Sequence, residues 1–354
     1  MKRNAVLTLA TALALMPCSL PASAAAGDVW AALGQSGFGN DAAAMGRAAG
    51  ARARAACNDH KPDLVLYSDH GWATRTDEDK KALLDGVAEF FDRKQLHGLT
   101  THGLFCQDLP HRLSLPENGF VGVMALGGVT TTCAKVGVAE KGKEDAAYAT
   151  LAEALKTSYA AASDKGRLIF IFGSCAPANS GEKIVNAFTH TLGQDVQLFG
   201  GVTPRLPNWD KGPFNWRAQF FQGELLRETV LAILVTGNFT CTFGMAETSP
   251  EMTDTQDPDL VVRSAKTATA LALGEKTDDV VVMLVNSSYH RAHSLMKGKK
   301  PKGETEVLQQ ASPSPIFGFS GDGEIGHPAT GAPPIAATNN ISVCVILKAV
   351  SAGK

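Results

Sequence analysis

Nearly continuous apolar runs of strand length recur along this chain, and they end in small or polar residues. Three of them are DLVLYS at 63–68, RLIFIFGS at 167–174 and DDVVVMLVNSS at 278–288. Amphipathic helical patterns lie between these runs. Strands that are apolar at every position require burial on both faces, as in sheets that are covered by helices. The pattern therefore predicts an α/β protein made of two packed modules, with mixed β-sheets flanked by helices.

Capping residues and apolar periodicity predict the individual helices. Asn40 and Asp41 can cap an alanine-rich helix that runs to about Cys57. Thr76 and Asp79 resemble a capping box at the start of the next helix. Further helices are predicted over 143–162, 180–192, 259–273 and 304–310.

Glycines mark two pairs of strands that are neighbours along the chain. One hairpin is predicted around Gly127-Gly128 and another across Gly223-Glu224. The paired segments are 120–126 with 130–138, and 217–223 with 229–236.

The length of 354 residues allows about two domains. The composition becomes polar, acidic and proline-bearing over 247–259, so we place the boundary near its start. This predicts modules over 25–245 and 246–350, each built around its own sheet. The last apolar run, 340–348, is expected to pair centrally because it suits burial on both faces.

The first residues have the order of a secretory signal peptide. Lys2 and Arg3 form a positive n-region, Ala5 to Met16 form a short apolar region, and Ala22-Ser23-Ala24 supplies small residues for cleavage. The sequence therefore predicts a signal peptide over 1–24 and a periplasmic or secreted protein. Cys18 is an alternative site of lipid attachment, and no other membrane-spanning segment is expected.

Charge and cysteine usage exclude several classes of partner and site. The balance of 33 Lys+Arg against 35 Asp+Glu gives no electrostatic reason to bind nucleic acid. No C-x-x-C pair exists, which argues against a zinc ribbon or a thioredoxin-type site. Cys175, Cys241 and Cys344 lie in apolar runs and are expected to be buried thiols, although an exported protein can also form disulfides.

Three stretches together resemble the FIST family. The first is KPDLVLYSDH followed by LHGLTTHGLF, and the second is VQLFGGVTPRLPNWD followed by FFQGELLRETVLAILVTG. The third is SPIFGFSGDGEIG followed by NNISVCVIL. The resemblance implies an N-terminal FIST module over 25–245 and a C-terminal one over 246–350. It also implies a sensory protein that binds a small, amino-acid-like ligand without catalytic output. A protein of this kind would signal through a separate membrane partner or simply sequester its ligand.

Ligands of open α/β sheets bind beyond the carboxyl ends of the strands. Several strand ends here carry glycine or small polar residues, which allow a ligand to approach the backbone. The candidates are Ser68, His70, Thr101, Gly200, Gly201 and Ser320. Ordinary turns between elements are the alternative interpretation of these residues.

Charged candidates come from the C-terminal part of the chain. Arg291 can bind a carboxylate in a planar fork, and Asp322 and Glu324 can bind an ammonium group. Such a set suits an amino-acid-like ligand. An internal Arg291–Glu324 ion pair is the alternative.

Two other functions remain open at this point. An exported hydrolase would depend on Ser174, Cys175 or Ser320, although no G-x-S-x-G motif is present and no catalytic residue is assigned. A haem-binding sensor would follow from the association of some FIST proteins with haem, whereas no other cofactor and no metal site are expected. His290 and His293 are three residues apart, which is weak evidence for a metal.

Overall fold

The computed structural model describes residues 28–70, 74, 76–101, 104–106, 119–137, 142–176, 180–204, 219–247, 258–275, 278–288, 310, 315–321, 323–338 and 340–349. The helices are α1 Ala42–Ala56, α2 Asp77–Ala88, α3 Glu144–Ala161, α4 Ser180–Leu192 and α5 Pro258–Leu273, with a short 3₁₀ helix at Arg93–Gln95. The strands are β1 Trp30–Gln35, β2 Leu64–His70, β3 Leu96–Thr101, β4 Leu104–Cys106, β5 Val121–Gly127, β6 Val129–Gly137, β7 Gly166–Ala176, β8 Leu198–Pro204, β9 Gln219–Phe221, β10 Glu224–Leu226, β11 Thr229–Gly237, β12 Phe239–Glu247, β13 Val280–Ser288, β14 Ile316–Gly321, β15 Gly323–Gly326, β16 Ile335–Ala337 and β17 Asn340–Lys348.

The described residues form a mixed α/β structure, as predicted. Asp41 caps α1 and accepts a hydrogen bond from the Ala44 amide. The capping box of α2 is present in both directions between Thr76 and Asp79. The helix predicted over 304–310 lies outside the described residues apart from its last position, and β1 had no predicted counterpart.

The strands build three sheets that repeat one arrangement. Their orders are β1-β5-β2-β3-β9-β10, β6-β11-β7-β8-β15-β16 and β12-β17-β13-β14-β4. Each sheet is built mainly from one segment of the chain, which runs from β1 to β5, from β6 to β11 or from β12 to β17. In each sheet, the first and last strands of the segment are neighbours and lie beside a parallel pair, which is β2 with β3, β7 with β8, or β13 with β14. Each parallel pair is then extended by an antiparallel strand from a different segment. The three segments are therefore interlocked in a cyclic way.

The interlocking changes what was expected of the modules. Both β15 and β16 come from the C-terminal part of the chain but pair into the second sheet beside β8. Conversely, β4 comes from the N-terminal part and pairs with β14 in the third sheet. The expectation that each module has a sheet of its own is therefore wrong, while the position of the boundary near residue 245 stays a prediction. The final strand does pair centrally, between β12 and β13.

The strands of both predicted hairpins are present, but they do not pair with each other as predicted. The single residue Gly128, at φ 74°, connects β5 in the first sheet to β6 in the second. Tight hairpins commonly use two-residue loops, so a one-residue connection carries the chain into the next sheet instead of reversing it. At the second position, β9 pairs with β10 across Gln222 and Gly223, while β11 joins the second sheet.

The inner faces of the three sheets share one hydrophobic core, and the helices cover the outer faces. Phe172 of the second sheet and Phe319 of the third pack edge to face, with ring centroids 5.4 Å apart. Helices α1 and α2 cover the first sheet, α3 and α4 the second, and α5 the third. Each buried phenylalanine contributes ~1.5–3 kcal/mol, so this shared core ties the sheets together.

Two further observations concern compartment and redox state. Within the described part of the chain, no helix combines the length and the apolar character that crossing a membrane would require. Cys241 and Cys344 are buried free thiols, as predicted, and Cys57 is a third. The side chain of Cys175 lies outside the described residues.

Candidate functional site

Polar residues and a glycine follow the apolar core at the carboxyl-end side of the parallel strands. Side chains alternate between the two faces of a strand, so a residue two positions beyond a core residue faces the same interior. Leu66 of β2 and Leu284 of β13, for example, belong to the shared core. We call the polar residues and the glycine that lie two positions from a core residue at this end of the strands, together with Glu324, which is paired to Gly201, the interior polar layer. Its members are Ser68, Thr101, Gly201, Asn286, Glu324 and Ser342.

The first sheet contributes two hydroxyl groups to the interior polar layer. Ser68 and Thr101 are both buried, and their hydroxyl oxygens are 3.2 Å apart. The Thr101 hydroxyl also donates a hydrogen bond of 3.5 Å to the carbonyl oxygen of Asp69. The parallel register of β2 and β3 brings these two predicted site residues together.

Asn286 explains the predicted double glycine in the second sheet. Its amide nitrogen donates a hydrogen bond to the carbonyl oxygen of Gly200. A Cβ atom at Gly201 would lie 2.5 Å from that nitrogen, and a Cβ at Gly200 would collide with the carbonyl of Ile171. Both glycines also lie between paired strands, β7 and β15. Close packing therefore requires both glycines, and ligand binding by their N–H groups stays a prediction.

Glu324 is fully buried in β15, directly opposite Gly201. Its Oε2 atom accepts a hydrogen bond of 3.2 Å from the backbone N–H of Asn340. Gly326, two residues further along and so on the same face, has no room for a Cβ because Ser342 lies against it. The second and third sheets thus meet closely around this carboxylate.

A second buried polar group lies on the outer face of β2 and β3. The ammonium group of Lys80, on α2, donates hydrogen bonds to the carbonyl oxygen of Thr74 at 2.6 Å and to the hydroxyl of Thr100 at 3.1 Å. Thr100 in turn donates to Asp69 Oδ1 at 2.9 Å, and Thr74 donates to the other carboxylate oxygen. Burial lowers the pKa of Lys80, and the attraction of Asp69 opposes that effect. The network fastens the carboxyl ends of these strands to the start of α2.

Several predicted site residues cannot be assigned to the interior polar layer. The backbone of His70 pairs with Thr101, and that of Ser320 with Ser287, but both side chains lie outside the described residues. Arg291 and Asp322 lie outside them altogether. A role in ligand binding therefore stays a prediction for all four, and so does the Arg291–Glu324 ion pair.

The prediction from the sequence did not include three buried polar residues that the structure places here. They are Lys80, Asn286 and Ser342, and each is fully buried. Lys80 occupies the apolar face of α2 with Leu83 and Val87, a pattern that can be seen in the sequence. Asn286 and Ser342 each interrupt an apolar run, but only the strand register shows that they face each other.

A groove of about 1110 Å³ lies at the opposite end of the second sheet. Arg167 in this groove stacks on Tyr159, 4.0 Å from the ring centroid, and pairs with Asp195 at 3.8 Å. His327 accepts a hydrogen bond from the Leu198 amide and donates one to the Ala332 carbonyl. Both groups thus have partners within the protein.

His97 and Cys133 are two side chains of metal-ligand type that contact each other. The thiol sulfur is 3.7 Å from His97 Nε2. Burial lowers the pKa of His97 to about 4 and raises that of Cys133 to about 11, so both are uncharged at neutral pH. No group of three His, Cys, Asp or Glu side chains suited to a metal occurs among the described residues.

Comparison with known proteins connects this architecture to one family. The model of the FIST N domain matches residues 63–276, more than half of the chain. No curated protein matches the sequence. The chain is similar to the crystal structure of cyanuric acid hydrolase from A. caulinodans, with 8% identity, a TM-score of 0.42, and coverage of 89% of this chain and 99% of that one. A second cyanuric acid hydrolase structure gives 8% identity, a TM-score of 0.42, and coverage of 91% and 100%.

Proposed function

This chain belongs to the FIST family, and from that membership we propose that it binds a small polar ligand of the amino-acid-like class without transforming it. One observation carries the proposal: polar side chains from all three sheets converge in the interior polar layer, at the strand ends where α/β proteins bind ligands. Asn286, Glu324 and Ser342 are fully buried there. Asn286 Oδ1 and Ser342 Oγ have no hydrogen-bond partner among the described residues, and burial of a polar atom without a partner is costly, which favours a polar ligand.

Arg291 and Asp322 would complete the proposed ligand set. Arg291 would bind the ligand carboxylate as a planar fork. The residues over 246–350 would form the C-terminal FIST module, and signalling would pass to a separate membrane partner. These assignments go beyond the matched N domain.

Thermal-shift screening of the purified protein against amino acids and related small acids tests this function. We expect at least one of these compounds to raise the unfolding midpoint, because it binds only the folded state. Replacing Thr101 with valine removes a hydroxyl but keeps the shape of the side chain. That variant should weaken binding of the stabilising compound by up to about tenfold, since a neutral hydrogen bond contributes ~0.5–1.5 kcal/mol.

The matched control is Thr150→Val. Thr150 is exposed on α3 and donates only to the carbonyl of Ala146 in its own helix. Its replacement should leave the dissociation constant unchanged. If no compound stabilises the parent protein, or if both variants bind as the parent does, the ligand site is not the interior polar layer.

We also propose that the protein is exported after cleavage near Ala24. N-terminal sequencing of protein from the periplasm or medium should begin near Ala25 or Gly27. An Ala24→Arg variant should keep its leader, because a large charged residue does not fit the cleavage position. Recovery of the parent protein from the cytosol with Met1 intact would contradict export.

A further inference from the structure

Two buried oxygen atoms of the interior polar layer have no hydrogen-bond partner among the described residues. They are Asn286 Oδ1 and Ser342 Oγ, and both side chains are fully buried. The two residues are directly paired on β13 and β17, so their side chains lie on the same face of the sheet. A buried polar atom without a partner costs roughly 1–3 kcal/mol, so a donor placed between them would be bound favourably.

The orientation of Asn286 is fixed by its other amide atom. Because Nδ2 donates to the carbonyl oxygen of Gly200, the acceptor Oδ1 is the amide atom that is left without a partner among the described residues. A flipped amide would place two oxygen atoms against each other. The pair therefore presents oxygen acceptors rather than N–H donors.

Glu324 adds a carboxylate beside these acceptors. It lies opposite Gly201, whose missing side chain makes room for Asn286. It also shares a face of β15 with Gly326, whose missing side chain makes room for Ser342. The face of β15 that carries Glu324 is thus the face that approaches Asn286 and Ser342, and Oε2 of Glu324 is positioned by the Asn340 N–H.

We propose that Asn286, Ser342 and Glu324 bind the protonated primary amine of the ligand; this inference rests on the proposed function and names the chemical group that it requires. An ammonium group has three N–H donors and no acceptor, which matches three oxygen-bearing side chains. Its positive charge is offset by the carboxylate of Glu324. The site should therefore reject analogues in which a hydroxyl group replaces the amine, because they lack the charge and two of the donors.

The test compares each standard amino acid with its 2-hydroxy-acid counterpart by thermal shift and calorimetry, with ammonium chloride and potassium chloride as separate arms. We expect an amino acid to bind and its hydroxy analogue to bind at least about tenfold more weakly, since hydrogen bonds to charged groups contribute the equivalent of that factor or more. Ser342→Ala should weaken amino-acid binding by a similar factor. Without ligand, the variant should be at least as stable as the parent, because an unpartnered buried hydroxyl has been removed.

Thr269→Val is the matched control. Thr269 lies on α5, and its buried hydroxyl also has no partner among the described residues. Its replacement should likewise not lower stability, but it should leave amino-acid binding unchanged.

Each other outcome has a distinct meaning. Equal binding of an amino acid and its hydroxy analogue, or unchanged binding by Ser342→Ala, overturns the amine site and leaves the proposed function standing. Stabilisation by either chloride salt alone shows that a free cation, not a ligand amine, occupies the site. Lower stability of ligand-free Ser342→Ala shows that an internal group already uses this hydroxyl, and failure of every compound to bind overturns the proposed function as well.

Discussion

Replacing Lys80 with methionine is expected to lower the free energy of unfolding by about 3–5 kcal/mol, the usual cost of removing one partner of a buried charged network. Methionine keeps most of the volume of the side chain but supplies no ammonium group. Among the described residues, the buried Asp69 carboxylate would then keep its hydrogen bonds to two threonine hydroxyls but no ammonium partner. Urea unfolding at neutral pH measures the loss directly.

The neighbouring residue provides the control for this prediction. Lys81 is exposed on the same helix, and Lys81→Met should change the free energy of unfolding by no more than about 0.5 kcal/mol. A double variant, Lys80→Met with Asp69→Asn, removes both charges. It should lose less than the sum of the two single variants, because the uncompensated carboxylate is gone. A loss below about 1 kcal/mol for Lys80→Met would show that the network does not hold α2 to the strands.

The position of Lys80 shows that a local sequence pattern predicts whether a side chain is buried, but not which residues it contacts. It lies three, four and seven residues before Leu83, Leu84 and Val87, which are buried on one face of α2. That spacing alone predicts a lysine that points into the protein. Its contact with Thr100 depends on how α2 packs against β3, and no periodicity within the helix contains that information.

Strand positions could be predicted because each apolar run is a local feature, whereas strand pairing is not. The run at 167–174 falls within β7, and the run at 63–68 falls within β2 apart from Asp63. The predicted hairpin around Gly128 failed because neighbouring strands in sequence enter different sheets. The exchange of strands between segments, such as β15 beside β8, joins residues more than a hundred positions apart and leaves no signal in either run alone.

The candidate site follows the same division. Ser68 and Thr101 were predicted from strand ends, and the strand register places them beside each other. Asn286 and Ser342 belong to strands that were also predicted, but two polar residues inside apolar runs become a pair only when β13 and β17 are aligned. The sequence therefore predicts the end of the sheet where polar groups collect, and the fold determines which of them face each other.

Acidification from pH 6.5 to about 4 is expected to lower the free energy of unfolding by about 3 kcal/mol through His97 alone. Burial lowers the pKa of this histidine from 6.5 to about 4 in the folded protein. Between these values the unfolded chain binds more protons than the folded one, so stability falls as the pH falls. The nearest titratable group, the Cys133 thiol, is uncharged in this range because burial raises its pKa to about 11.

His97 packs edge to face on Phe221, and two charged groups lie around that ring: Lys135, 4.8 Å from the ring centroid, and Glu224, 3.3 Å from Lys135. They form an exposed pair of opposite charge, so their effect on the imidazole largely cancels. His97→Leu keeps a similar volume and cannot be protonated. The difference in unfolding free energy between parent and His97→Leu should therefore shift by about 3 kcal/mol in favour of the variant between pH 7.5 and pH 4. His190→Gln, at an exposed histidine on α4, should follow the parent at every pH. Urea unfolding across this range decides the point, since parallel profiles for parent and His97→Leu would mean that the buried imidazole accepts its proton without loss of the fold.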